Sequence, residues 1–275
     1  MKEESLLLLS DLQKLINQVV LIDYTIIILG GTLMKKPFIA IAIMIMAITL
    51  SGCGKNKSER LNERELEIEQ KYGIEIEKVR EEDLKVIDDY FAKLPDGFVK
   101  ELKTYQDYEE YPDRKIYIYV SGDGITDVKN DLSLGDYWIL DKNREIDGQL
   151  AYCTMESAYY NIKYRKNHME AMFSMPLFNP EGYDYSDTTE YFKYLYNEDN
   201  QKEAYFIGDE PALDDIDDEA RIFSLLMTED EKGIEILDKA PKIRQKALYI
   251  RDVIQFSFDT VDTTAYWNRH FAGKE

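Results

Sequence analysis

GQLAYCTMESAYYNIKY, residues 148–164, decides how this chain is read. From Gln149 onward it contains no Gly or Pro. Leu150, Cys153, Ser157 and Tyr160 fall on one stripe at helical spacing, and Met155 and Tyr159 on another, so the spacing predicts a buried helix. Glu156 is the one carboxylate in that run, and burying a carboxylate is costly unless something pairs with it. The plain reading is a helix Glu facing solvent, or one accepting hydrogen bonds from Tyr159, Tyr160 or a lysine. Just upstream, KIYIYV (115–120) is β-branched and aromatic and reads as a strand, closed by the turn SGDG (121–124). YWIL (137–140), between Gly135-Asp136 and Asp141-Lys142, reads as a second strand. Ahead of them lie a charge-rich helix at 61–72, stopped by Gly73, and an amphipathic helix at 81–92 with acids in its first turn. A third helix is expected over 95–104 with Pro95 near its start. Downstream, Asn179-Pro180 and Gly182 mark a loop, and helices are expected at 187–196, 214–227, 229–238 and 242–258. Helices, then strands, then mostly helices give an α+β fold, with a small twisted sheet near the N-terminal side packed on helices.

The N-terminal region has a different logic. MKKPFIAIAIMIMAITLSGC begins at Met34 with two lysines, continues in an apolar run too short to span a bilayer comfortably, and ends in small residues before Cys53. That is the layout of a secretory signal peptide over 34–52, and LSGC resembles the lipobox of bacterial lipoproteins. The resemblance implies cleavage before Cys53 and lipidation of Cys53, hence a protein held on the outer face of the bacterial cell membrane. The alternative is a transmembrane anchor with an incidental Cys. Residues 1–33 add a second apolar run broken by Asp23 and serve no purpose beside that signal, so translation is expected to start at Met34. Residues 53–60 are a polar tether and 61–275 one domain of ordinary size. The first 52 residues carry four Lys and four Asp/Glu, so the exported part keeps the full net charge of −20. Such a chain repels nucleic acid and anionic lipid alike, leaving the acyl group as the membrane partner. With Cys53 lipidated only Cys153 remains, which excludes a disulfide framework and a CxxC zinc site and suggests a small core residue.

Several chemistries are missing. The two histidines, His168 and His270, are far apart in the chain and read as loop and tail residues; no HExxH helix exists. There is no Gly-rich phosphate loop and no GxSxG elbow. The acidic run Asp214, Asp215, Asp217, Asp218, Glu219 lacks the spacing and the glycine of an EF-hand loop.

NPEGYDY (179–185), YFI (205–207) and DDEARIF (217–223), preceded in order by YGI (72–74), LP (94–95) and the two strands, resemble the motif series of a family of predicted zinc metallopeptidases among bacterial lipoproteins. These are zincin-like proteins, similar in their catalytic half to the anthrax lethal-factor peptidase. The resemblance covers roughly residues 71–259. In active members a helix after the second strand carries HExxH and a later acid completes the zinc site. The two imidazoles lie one turn apart on a helix and the intervening Glu takes a proton from zinc-bound water. Carried onto this chain, the imidazole positions fall on Met155 and Tyr159, the general base on Glu156 and the third ligand on Asp217; the position that often holds an oxyanion-stabilising Tyr is Glu210.

Met is a poor zinc ligand and a neutral phenol a weak one. The expectation is therefore a degenerate, catalytically inactive peptidase domain with no cofactor. It would bind a peptide or protein in a cleft around Tyr137, Trp138, Tyr159, Glu210 and Asp217, with the strand at 137–140 as the edge that receives the peptide. Glu156 would be a vestigial base. The alternatives are an active metallopeptidase using Glu156, Asp217 and nearby carboxylates on Ca²⁺ or Mg²⁺, and an unrelated lipoprotein that binds a small ligand.

Overall fold

The computed structural model describes residues 57–104, 113–122, 124–164, 175–208, 210–227 and 231–271. The signal peptide, Cys53, the upstream segment and His168 lie outside the described residues. In chain order the elements are α1 (Lys57–Tyr72), β1 (Glu75–Glu77), α2 (Glu81–Phe91), α3 (Phe98–Lys103), β2 (Lys115–Ser121), β3 (Asp127–Asp131), β4 (Gly135–Asp141) and α4 (Ile146–Lys163). There follow α5 (Thr188–Lys193), α6 (Asp215–Met227), α7 (Glu231–Lys239) and α8 (Pro241–Ser257), with single 3-10 turns at Met175–Phe178 and Tyr266–His270. No helix among the described residues is long and apolar enough to cross a membrane.

The described residues form an α+β fold with a four-stranded sheet in the order β1-β2-β4-β3. β1, β2 and β4 run parallel, and β3 turns back antiparallel on the outer side of β4. Alternation sets the two faces of the sheet. Ile116, Ile118, Val120, Trp138 and Leu140 are buried under helices, while Tyr117, Tyr119, Tyr137 and Ile139 are half-buried on the other face. The β3–β4 turn is fixed by Asp131, whose carboxylate accepts from the N–H groups of Ser133 and Leu134, at 2.8 and 2.9 Å. Gly135 follows at φ 136, and a Cβ there would sit 1.8 Å from the Lys115 carbonyl oxygen, so only glycine lets β4 start against β2.

α4 is the central helix. It is buried nearly all round, and the half-buried positions Tyr152, Glu156 and Tyr160 form one stripe at four-residue spacing. Three contacts fix its rotation. Trp138 Nε1 donates to Ser157 Oγ at 2.7 Å, the Trp138 ring stacks on Phe91 of α2 at 5.9 Å, and Tyr90 and Thr154 share a hydrogen bond of 2.7 Å. Nearby, the buried Asp136 is paired through Oδ1 with the equally buried Arg114. Ser157→Ala should therefore cost about 2 kcal/mol, because it leaves a buried indole N–H without a partner. Thermal denaturation with intact helical circular dichroism checks this.

The structure corrects several expectations. Two strands were not foreseen, β1 (EIE) and β3 (DVKND). β4 is longer than YWIL and is interior, paired by β2 and β3, so it is not the free edge; that edge is β3. α1 begins at Lys57 and takes in the end of the expected tether. α3 starts at Phe98 behind an N-cap Gly97 at φ 83, and Pro95 lies before it, accepting the Phe98 N–H in a turn. Tyr160 belongs to the half-buried stripe rather than with Leu150, Cys153 and Ser157. His270 is not a surface residue: it is 8% exposed and its Nε2 lies 3.0 Å from the Leu226 carbonyl oxygen. Cys153 is fully buried, as its apolar setting implies.

Candidate functional site

A cleft of about 530 Å³ opens beyond the carboxyl ends of β2 and β4. One wall is the start of α4, with Gly148, Gln149 and Tyr152; another is α6, with Asp217, Arg221, Ser224 and Leu225. The approach to β3 (Gly124, Ile125, Thr126), with Ile207, Gly208, Glu210 and Leu213, completes it. Ile125 and Leu213 stand 57% and 83% exposed at this cleft, two apolar side chains held in solvent. Gln149 ties the walls to the sheet. Its Oε1 accepts the Asp141 N–H at 2.6 Å and its Nε2 donates to the Asp141 carbonyl at 2.9 Å.

Asp217 anchors the floor. Arg221, one turn later on α6, grips it with both arms of the guanidinium, Nε to Oδ1 and Nη2 to Oδ2, each at 2.9 Å. Tyr152 Oη donates to Oδ1 at 3.0 Å and the Leu213 N–H to Oδ2 at 2.9 Å. Arg221 Nη1 also donates to the Glu210 carbonyl and, at 3.3 Å, to Tyr191 Oη. Gly208, at φ 108, makes room: a Cβ there would lie 2.7 Å from that Nη1. Burial, with the Glu156 and Asp217 charges, pushes the Tyr152 phenol far up, so it is a donor at any physiological pH.

Glu156 lies one turn beyond Tyr152 on the half-buried stripe. Its carboxylate accepts a hydrogen bond from the Val128 N–H of the edge strand β3, while Oε2 is buried without a partner. Burial raises its pKa to about 8, helped by Asp127, Asp217 and Asp214. Neither Tyr159, Tyr160 nor a lysine bonds it among the described contacts; the partner is backbone.

The expected site residues separate. Asp217 and Glu210 line the cleft together. Tyr159 is 6% exposed and does not line it; burial, then Asp215, Glu219 and Asp214, push its phenol up to about 12. Met155 is buried at 1%. Trp138 is wholly in the core, and Tyr137 is on the opposite face of the sheet, stacked on Tyr117 at 4.6 Å, so neither belongs to the cleft. The residues missed are Tyr152, Arg221, Gln149, Ile125 and Leu213. Of these, Arg221 had a signal in the sequence, a cation one turn after an acid on a predicted helix.

The residues do not fit zinc. Both oxygens of Asp217 are engaged by a guanidinium, Met155 supplies no suitable donor, and the Tyr159 phenol holds its proton. Among the described residues no three His, Cys, Asp or Glu side chains are placed to share a metal ion. The chain matches no family model, no curated protein and no solved structure. What the cleft can do therefore has to be argued from its own groups. It offers an exposed strand edge, two apolar side chains at its mouth and a floor whose acid, Asp217, is already paired with Arg221.

Proposed function

We propose that this is an exported lipoprotein, anchored through Cys53, whose zincin-like domain has given up metal catalysis and holds a peptide or protein segment in the cleft. The observation that carries the reading is the Arg221–Asp217 fork: a fixed positive charge sits on the acid that the resemblance assigns to zinc. A guanidinium neutralises that carboxylate as a cation would, but it offers no open coordination position and activates no water. Capture of an extended peptide is favoured by the free edge of β3, which needs no metal to bond a backbone, and by Ile125 and Leu213, which would otherwise be left in water.

Two measurements test this. Purified protein equilibrated with zinc and then desalted should carry far less than one metal per chain. Stoichiometric zinc, lost in Glu156→Ala or Asp217→Ala, would falsify the metal-free reading. A peptide-display selection on the folded protein should enrich a sequence class whose binding falls at least tenfold, about 1.4 kcal/mol, in Ile125→Asp or Leu213→Asp. Enriched peptides indifferent to both substitutions would place binding elsewhere.

A further inference from the structure

Three carboxylates stand round the cleft with no cation on them. Glu210 lines the cleft and is exposed. Asp214, exposed at the head of α6, follows the cleft residue Leu213, and Asp127, half-buried, follows the cleft residue Thr126 and opens β3. None of the three forms an ion pair with a Lys or Arg among the described residues. The cleft's own arginines are already committed. Arg221 holds Asp217, and Arg144 Nε lies 3.6 Å from Asp141 Oδ2. Lys129 shares a face of β3 with Asp127, two residues on, and makes no ion pair with it. Asp214 Oδ1 accepts the Asp217 N–H at 2.9 Å, which caps α6 without neutralising the acid. A single metal ion does not answer these charges either, since among the described residues no three acidic, His or Cys side chains are placed to share one. The charges are spread round the cleft, on the loop before α6, on the head of α6 and on the edge strand, so their counter-charge has to be spread as well.

We propose that the segment held in the cleft is cationic: an extended peptide with Lys or Arg among apolar side chains, the apolar groups against Ile125 and Leu213 and the charges against Asp127, Glu210 and Asp214. The inference rests on the reading of the cleft as a peptide site and adds the charge class of what enters it. An extended chain suits the arrangement, because its side chains are spaced along a backbone that can pair with β3 while each cation meets its own acid. Exposed pairs of this kind add little affinity one by one, and salt screens them beyond about 8 Å at physiological ionic strength. Their larger effect is on encounter. The chain carries a net charge of −20, so a cationic segment is drawn towards it and an acidic one is turned away before contact. Discrimination between the two therefore lies more in the association rate than in the lifetime of the complex.

The test is an array of random dodecapeptides, blocked at both ends and probed with the folded protein. The expected result is a bound set with Lys and Arg at about twice the array average, and a signal that falls about tenfold from low salt to about 0.5 M NaCl. Asp127→Asn, Glu210→Gln and Asp214→Asn combined should abolish the Lys and Arg enrichment while the apolar preference stays. A control with the same loss of charge at Glu67→Gln, Glu77→Gln and Glu82→Gln, exposed on α1, β1 and α2, should keep the enrichment. A bound set that is neutral or acidic overturns the proposal and leaves the peptide site standing. Enrichment that survives the first triple variant, or that the control also loses, overturns the assignment to these three acids. An array with nothing bound overturns the peptide reading itself, and this inference with it.

Discussion

Arg221→Ala should destabilise the domain by about 3 kcal/mol, because removing one partner of a largely buried ion pair leaves the other charge uncompensated. Asp217 is 6% exposed and would keep only Tyr152 and the Leu213 N–H, while the carbonyls of Glu210 and Pro211 would lose their donor. The figure sits at the low end of the usual range because the Arg221 side chain is itself 20% exposed, so water can enter the gap. Arg221→Lys should recover little, since an ammonium cannot span both carboxylate oxygens. The double change Asp217→Asn with Arg221→Met should recover much of the loss, because it removes both charges together. Urea denaturation of the three variants checks the order. Arg221→Ala as stable as wild type would mean the fork does not hold the floor of the cleft. The same variant tests the metal-free reading a second way. If Arg221 alone kept zinc out, Arg221→Ala would bind it; the expected result is still no stoichiometric zinc, because Met155 and Tyr159 remain.

The parts of the fold that could be read from sequence are those where local preference and tertiary demand agree. KIYIYV and the Gly-free run at 149–164 are such parts, one β-branched and alternating, the other apolar nearly throughout. β1 and β3 were not readable. EIE and DVKND are charged segments with poor strand preference, and they are strands because β2 and β4 offer them a ladder. Missing β3 moved the free edge by one strand, and the peptide-binding edge went with it. Tyr137 and Trp138 cannot share one cleft, since neighbours on a strand point to opposite faces. His270 carries no local sign of burial, but Trp267, three residues earlier and fully buried, marks that segment as packed. Asp217 and Glu210 line one cleft, but a motif names positions and not their partners. What neutralises Asp217 and what bonds Glu156 depended on how α6 and β3 lie against α4.

Glu156→Gln should make the protein more stable than wild type at pH 8 to 9 and lose that advantage at pH 4 to 5. In the folded protein Glu156 has a pKa of about 8, raised from 4.5 in the unfolded chain. Below pH 4.5 both states hold the proton and the group adds no pH dependence. As pH rises from 4.5 towards 8, the unfolded chain releases a proton that the folded one retains, so stability falls, and the loss is complete above pH 8. A shift of that size corresponds at full weight to about 5 kcal/mol, and since Glu156 is only half-buried, solvent screening reduces the expected effect to about 2 kcal/mol. Glutamine keeps an oxygen for the Val128 N–H and never ionises, so the wild-type curve should slope downward through this window relative to the variant. Asp136 and Glu219 are also raised, yet they are present in both proteins and cancel in the difference. Parallel urea titrations at half-unit pH steps would show the divergence; a gap that does not change with pH would mean Glu156 titrates normally. The slope bears on function as well. Glu156 bonds the edge strand that a peptide would join, so a carboxyl that ionises only near pH 8 presents that edge neutral under most conditions. A peptide carrying a Lys or Arg beside β3 would then bind more tightly as pH passes 8, and one carrying an acid more weakly.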